Sequence, residues 1–162
     1  LHVTAQVTNT GSCDMPFGYG FHPAFCWPLP HADPAPHHVT LASGGAPDMR
    51  GLEDGLLRRA PLTGPFMDGD LEIKEALFKD VPNGSDALRY GPKNGSSLAF
   101  AFHNLPDLAL WRPVGAPFLC IEPWHGTASY VGDGPQIAQR PNRITLPPDA
   151  SSEFGYSVSV AR

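Results

Sequence analysis

Phe118-Leu119-Cys120-Ile121-Glu122-Pro123-Trp124-His125-Gly126 is the stretch on which the reading of this chain turns. Four apolar or near-apolar residues lead to one carboxylate, and Pro and Trp follow. A short apolar run of this kind predicts a buried strand over Phe118 to Glu122. Glu122 then sits where the strand emerges from a core and meets a Pro/Gly turn. An unpaired charge buried there costs several kcal/mol in order of magnitude. Two reasons would justify it: a salt bridge or cap on nearby backbone donors, or a general base in a pocket.

Working outward, Leu1 to Asn9 alternates apolar with polar residues, which predicts a half-buried strand. Asn9-Thr10-Gly11-Ser12 is a turn cluster. Met15 to Phe25 places Phe17, Tyr19, Phe21 and Phe25 in a strand-like pattern. Gly18 and Gly20 let another backbone come close. Cys26 to Pro36 reads as a Pro-rich loop and His38 to Ala42 as a short strand. Ser43 to Gly69 reads as long loops with one or two edge strands. Leu71 to Phe78 fits strand and helix equally. Ser85 to Tyr90 and Ser97 to His103 read as a hairpin turning at Lys93-Asn94-Gly95. Short strands follow at Ala109 to Trp111, weakly at Ile137 to Gln139, at Asn142 to Leu146 and at Phe154 to Ala161. Pro147-Pro148-Asp149-Ala150 joins the last two. Short strands separated by turn signals predict an all-β sandwich.

The chain has 162 residues, which predicts one domain over 1–162. Hydrophobic residues are 41% of it, enough for a packed core. Gly 17 and Pro 19 together exceed a fifth of the residues, which disfavours long helices. The net charge is -5 with no basic block, so nucleic acid is excluded as a partner class. No apolar run approaches the roughly 20 residues of a membrane-spanning helix, so no membrane partner is expected. Cys13, Cys26 and Cys120 are odd in number and lack C-x-x-C spacing, which predicts reduced thiols in a cytoplasmic protein. A chain that opens at Leu1 directly in a strand pattern reads as part of a longer protein.

His22 follows an aromatic and Gly-rich strand and precedes Pro23, which favours an extended conformation. Histidine titrates near neutrality and serves as acid or base. A His and a Glu at the ends of two aromatic-rich strands would make an acid/base pair if the fold brought them together. His31, His37 and His38 lie in or beside the Pro-rich loop with no carboxylate or Cys at ligand spacing, so no metal is expected there. A loop-histidine metal protein of cupin type remains a competing reading. Arg58-Arg59 reads as a solvated turn, with phosphate binding as the functional alternative.

Three stretches carry a resemblance. Val3 to Phe25, VTAQVTNTGSCDMPFGYGFHPAF, resembles the strand-turn-strand of the aldose 1-epimerase (galactose mutarotase-like) family, with its N-T-G turn, M-P-F entry and G-x-H-P-A-F end. Leu108 to Gly126, LALWRPVGAPFLCIEPWHG, is similar to that family's segment ending in C-I-E-P-W-x-G. Asn142 to Val160, NRITLPPDASSEFGYSVSV, resembles its closing hairpin. Together they resemble the LacX-like subgroup. The resemblance implies a β-supersandwich, present here as an incomplete C-terminal part. It implies interconversion of the α and β anomers of a hexose or hexose phosphate, with no metal and no organic cofactor. His22 matches the family's catalytic acid and Glu122 its catalytic base. Trp111 and Trp124 are candidates for stacking on the sugar, and Asp80 for holding its hydroxyls; core packing and a turn are the alternatives. Family members are longer, and their N-terminal half supplies an H-G-x-x-R stretch that is missing here. Without that half, exposed sheet edges would favour pairing into a homo-oligomer. The alternative function is a non-catalytic carbohydrate-binding β-sandwich.

Overall fold

The computed structural model describes residues 1–30, 36–42, 48–61, 75–79, 87–113 and 115–161. Fourteen strands account for most of them. In chain order they are β1 (His2–Thr8), β2 (Met15–Phe17), β3 (Tyr19–Gly20), β4 (Ala24–Cys26), β5 (His37–Leu41), β6 (Asp48–Glu53) and β7 (Leu56–Pro61). Then come β8 (Glu75–Lys79), β9 (Ala87–Pro92), β10 (Ser97–His103), β11 (Asp107–Trp111), β12 (Phe118–His125), β13 (Ile144–Leu146) and β14 (Ser151–Ala161). The fold is all-β, as the turn-punctuated alternation requires.

Two sheets stack face to face. The five-stranded sheet runs β1-β14-β10-β9-β5. The seven-stranded sheet runs β3-β12-β11-β8-β6-β7, with β4 also pairing β12. β13 and β2 form a separate two-stranded ribbon. Val39, Leu88, Tyr90, Phe100, Tyr156 and Val158 of the first sheet pack with Leu108, Leu110, Leu119 and Ile121 of the second in one buried cluster. Successive side chains on a strand point to opposite faces. Leu119 and Ile121 therefore face the core, and Cys120, Glu122 and Trp124 face away from it. Full burial of an aliphatic side chain such as Ile121 stabilises by roughly 2 kcal/mol.

The outer face of the second sheet is partly covered. Leu57 of β7 and Ala109 of β11 are buried there, with Leu52, Trp124, Ala128 and Tyr130 packed around them. The β6–β7 hairpin is tied down by Leu57 N–H donating to Ser129 O (2.8 Å) and Val131 N–H donating to Leu57 O (2.9 Å). Arg59 adds an ion pair to Asp133 and a stack over Tyr130. Arg58 reaches Glu53 at 3.3 Å. Both arginines thus lie in strand β7 and are paired, rather than forming a turn.

Several expectations are corrected. The Met15 to Phe25 pattern is broken into β2, β3 and β4. Ile137–Gln139 is a single turn of 3₁₀ helix with no buried residue, so nothing holds it in a ladder. β12 does not stop at Glu122 but continues to His125. β13 pairs β2 while β14 pairs β1 and β10, so the chain's closing pair is not a hairpin. His37 is buried in β5 rather than lying in a loop, and its Nε2 accepts the Leu29 N–H at 3.0 Å, which ties the preceding loop to the strand. His31 and the first half of the Leu71 to Phe78 stretch lie outside the described residues.

Candidate active site

The continuation of β12 through a proline explains where the site forms. Ile121 N–H donates to Pro23 O (3.1 Å), and Phe21 N–H donates to Pro123 O (3.1 Å). Strand alternation puts the Pro123 nitrogen on the same edge as the Ile121 N–H. β3 pairs with β12 at Trp124 and His125, and β4 pairs with it from Phe118 to Cys120. The Pro123 nitrogen thus faces the gap between β3 and β4, where no ladder donor is needed. His22 stands in that gap, opposite Glu122 in the register that β3 and β4 share on β12, with one of these hydrogen bonds on either side of it.

His22 Nε2 lies 3.3 Å from Glu122 Oε1. His22 is 62% exposed and Glu122 only 3%. The two residues are a hundred positions apart in the chain, and the sheet brings them together. Ala109 stands directly opposite Glu122 in the β11–β12 register, and its single methyl leaves room for the carboxylate. Cys120, two residues before Glu122, shares its face. Burial pushes the Cys120 thiol up, and the Glu122 carboxylate raises it further, so the sulfur stays protonated. The ligating atoms of His22, Cys120 and Glu122 all lie within 4.8 Å of one another.

Trp111 approaches His22 edge-on, with ring centroids 6.1 Å apart, and also packs on Phe118. Trp124 lies across its cross-strand partner Gly20: a Cβ built there would meet the Trp124 ring at 2.3 Å. The contact at Gly20 is therefore a side chain, not a backbone. At Gly18 it is a backbone: Gly126, at φ 97°, would place a Cβ 3.0 Å from Gly18 Cα. Asp107, fully buried, accepts hydrogen bonds from Gly126 N–H (3.2 Å) and Asn142 Nδ2 (2.8 Å). These contacts hold the end of β12 against the loop after it.

A cavity of about 470 Å³ opens beside His22, bordered by Gly20, Trp124, Thr127, Arg140 and Arg143. Glu122 and Trp111 are not among its lining residues. Of the predicted site residues, His22, Glu122 and Trp111 are brought together, Trp124 borders the cavity with His22, and Asp80 lies outside the described residues. Cys120, Arg140 and Arg143 were not singled out from the sequence. The i, i+2 spacing of Cys120 and Glu122 on one strand was the available signal for the first. Nothing local marks the two arginines. An acid/base pair beside an aromatic-walled hollow can move protons on a small polyhydroxylated ligand.

No protein-family profile matches the chain. Over 169 aligned residues it is 28% identical to the plasmid-encoded protein LacX of Lactococcus lactis subsp. lactis, covering 96% of this chain and 56% of that one. The chain thus spans about half the length of the curated relatives it matches. A galactose mutarotase-like protein from Lactobacillus casei ATCC 334 superposes with a TM-score of 0.79 at 21% identity, over 99% of this chain and 58% of that one. A galactose mutarotase related enzyme from Lactobacillus acidophilus gives 0.77 at 18% identity, over 99% and 57%. A galactose mutarotase-like protein from Clostridium acetobutylicum gives 0.71 at 20% identity, over 99% and 52%. By sequence the chain resembles LacX, and by structure it has the galactose mutarotase-like all-β fold over about half the extent seen in those proteins.

Proposed function

We propose that this chain carries the acid/base pair of an aldose 1-epimerase, which equilibrates the α and β anomers of a hexose. The observation that supports it is the approach of the His22 imidazole to the buried Glu122 carboxylate at 3.3 Å. Mutarotation needs the ring opened and reclosed on the other face. One group takes the proton of the C1 hydroxyl while another protonates the ring oxygen. Glu122 is the base and His22, as imidazolium, the acid. Glu122 is locked on a central strand and His22 is exposed, so His22 is the partner that swings to admit the sugar between them. Trp111 orients the imidazole by its edge contact. Trp124 offers an aromatic face on the cavity wall to the apolar C–H face of a pyranose. Arg140 and Arg143 on the same wall suit a hexose phosphate as well as a neutral hexose. The chemistry calls for no metal or organic cofactor. Three free cysteines suit a reducing cytoplasm.

The test is polarimetry on α-glucose, α-galactose and their 6-phosphates with the purified protein. His22→Ala and Glu122→Gln are each expected to lower the catalysed rate by about 10²–10⁴-fold. Unchanged rates in both variants would remove the role assignment. Saturable sugar binding with no acceleration over buffer would leave a carbohydrate-binding sandwich instead.

A further inference from the structure

We infer that His22, Cys120 and Glu122 form a binding site for a thiophilic divalent cation of the Zn(II) class, and that its occupancy switches the acid/base pair off. Among the described residues this is the one group of His, Cys, Asp or Glu side chains whose ligand atoms converge, all within 4.8 Å of one another. Tetrahedral zinc, with bonds of about 2.0–2.3 Å, sets its ligand atoms about 3.3–3.6 Å apart. His22 Nε2 and Glu122 Oε1 already stand at 3.3 Å. The remaining approach is roughly 1 Å, within reach of side chains turning about their χ bonds.

The ligand chemistry is the right kind. Imidazole nitrogen, thiolate sulfur and carboxylate oxygen are the three zinc donors that proteins use. A thiolate in the set selects a soft or borderline cation over Mg²⁺ and Ca²⁺. Cys120 and Glu122 project from one face of β12; Cys120 is paired on both sides and Glu122 is paired to β11, so two of the three donors are preorganised. Three protein ligands leave a fourth position for water. On binding, the Cys120 sulfur forms a bond to the cation and its proton leaves to solvent. The imidazole lone pair and the carboxylate are occupied by the same ion, so neither carries a proton to or from a sugar. Inhibition by the cation rests on the catalytic reading of His22 and Glu122; binding of the cation does not.

Titration of the reduced, metal-free chain with Co(II) tests the site directly. The expected result is a one-to-one endpoint with sulfur-to-cobalt charge-transfer absorption in the near ultraviolet, displaced by one equivalent of Zn(II). Cys120→Ser should abolish that band, while Cys13→Ser and Cys26→Ser, at exposed thiols, should keep it. His22→Ala should weaken binding by at least the ~10–100-fold that loss of an outer-sphere partner costs. Because Cys120 is buried and its variant is open to misfolding, His22→Ala at an exposed position serves as the second arm. No charge-transfer band, a band that survives Cys120→Ser, or His22→Ala binding as tightly as the parent would overturn the site. In an active sample, Zn(II) bound without loss of mutarotation would overturn the switch. Activity absent from every sample would count against the epimerase reading alone, since the cobalt spectrum needs no turnover.

Discussion

Gly20→Ala should damage the wall of the candidate site through one contact. A methyl group at position 20 would lie 2.3 Å from Trp124 Cδ1, 2.8 Å from Cγ and 3.0 Å from Nε1. Carbon pairs attract at about 3.5–4.0 Å and repel steeply inside that, so the ring must retreat by more than about 1 Å. It cannot slide along its strand, because Trp124 pairs with Gly20 itself in the β3–β12 ladder. The indole must swing off its bed and lose packing against the Leu57 and Ala109 cluster. Overpacking of this kind costs about 1–3 kcal/mol. For a chain of this size that lowers Tm by roughly 2–12 °C. The decisive assay is a double-mutant cycle on Gly20→Ala and Trp124→Ala, followed by thermal melting and tryptophan emission. With Trp124 gone, Gly20→Ala should be neutral or stabilising by up to about 1 kcal/mol, because φ at this extended position suits alanine and the unfolded chain loses freedom. Equal costs in the two backgrounds would refute the stacking of Trp124 on Gly20.

Three further outcomes follow from the core and the loop behind the site. Tyr90→Phe removes the hydroxyl that donates to Cys26 O at 2.6 Å and should cost about 1–2 kcal/mol in urea unfolding. Burial, and secondarily Cys26, push the Tyr90 phenol well above its ordinary 10.0, so the folded chain keeps a proton that the unfolded chain releases. The stability tied to that proton is complete below about pH 10 and drains away as pH rises beyond it, so Tyr90→Phe should flatten the alkaline fall in the urea midpoint; an unchanged slope would speak against it. Asp107→Ala strips Gly126 N–H and the Asn142 amide of a buried acceptor, and should cost about 2–4 kcal/mol by chemical denaturation; a loss under about 1 kcal/mol would contradict the buried network.

The sandwich was legible where one face of a strand is wet. β1 alternates cleanly because its burial alternates, and Asn94-Gly95 marks the β9–β10 hairpin with Gly95 at φ 97°. The β6–β7 hairpin turns on Asp54-Gly55, both at positive φ, an equally strong signal. It was lost among the charges around it, since Leu56 to Pro61 is exposed except for Leu57 and carries no alternation to frame the turn. The aromatic spacing from Phe17 to Phe25 read as one strand because periodicity cannot see where partners stop. The breaks come from the Gly18–Gly126 backbone contact and from the prolines that flank the gap, both of which depend on β12. The same limit holds at the site. His22 and Glu122 share no local spacing, so residue patterns offered them as a pair only on the condition that the fold brought them together, and the likeness to a known family supplied their separate roles. Arg140 and Arg143 sit in an irregular, exposed loop, where neither period nor burial leaves a trace in sequence.

β12 shows why a catalytic pair suits this position. Its two-residue period sends Leu119 and Ile121 into the core, which fixes the strand, and sends Cys120 and Glu122 to the other face, which fixes their direction at no added cost. Two prolines interrupt the ladder beside Glu122: Pro123 withholds a donor from the edge where β3 ends, and Pro23 withholds one where β4 is about to begin. The gap they leave runs from Phe21 to Pro23, and the residue at its centre is His22. A buried carboxylate and an exposed imidazole then face each other, since the register of β3 and β4 on β12 sets His22 opposite Glu122.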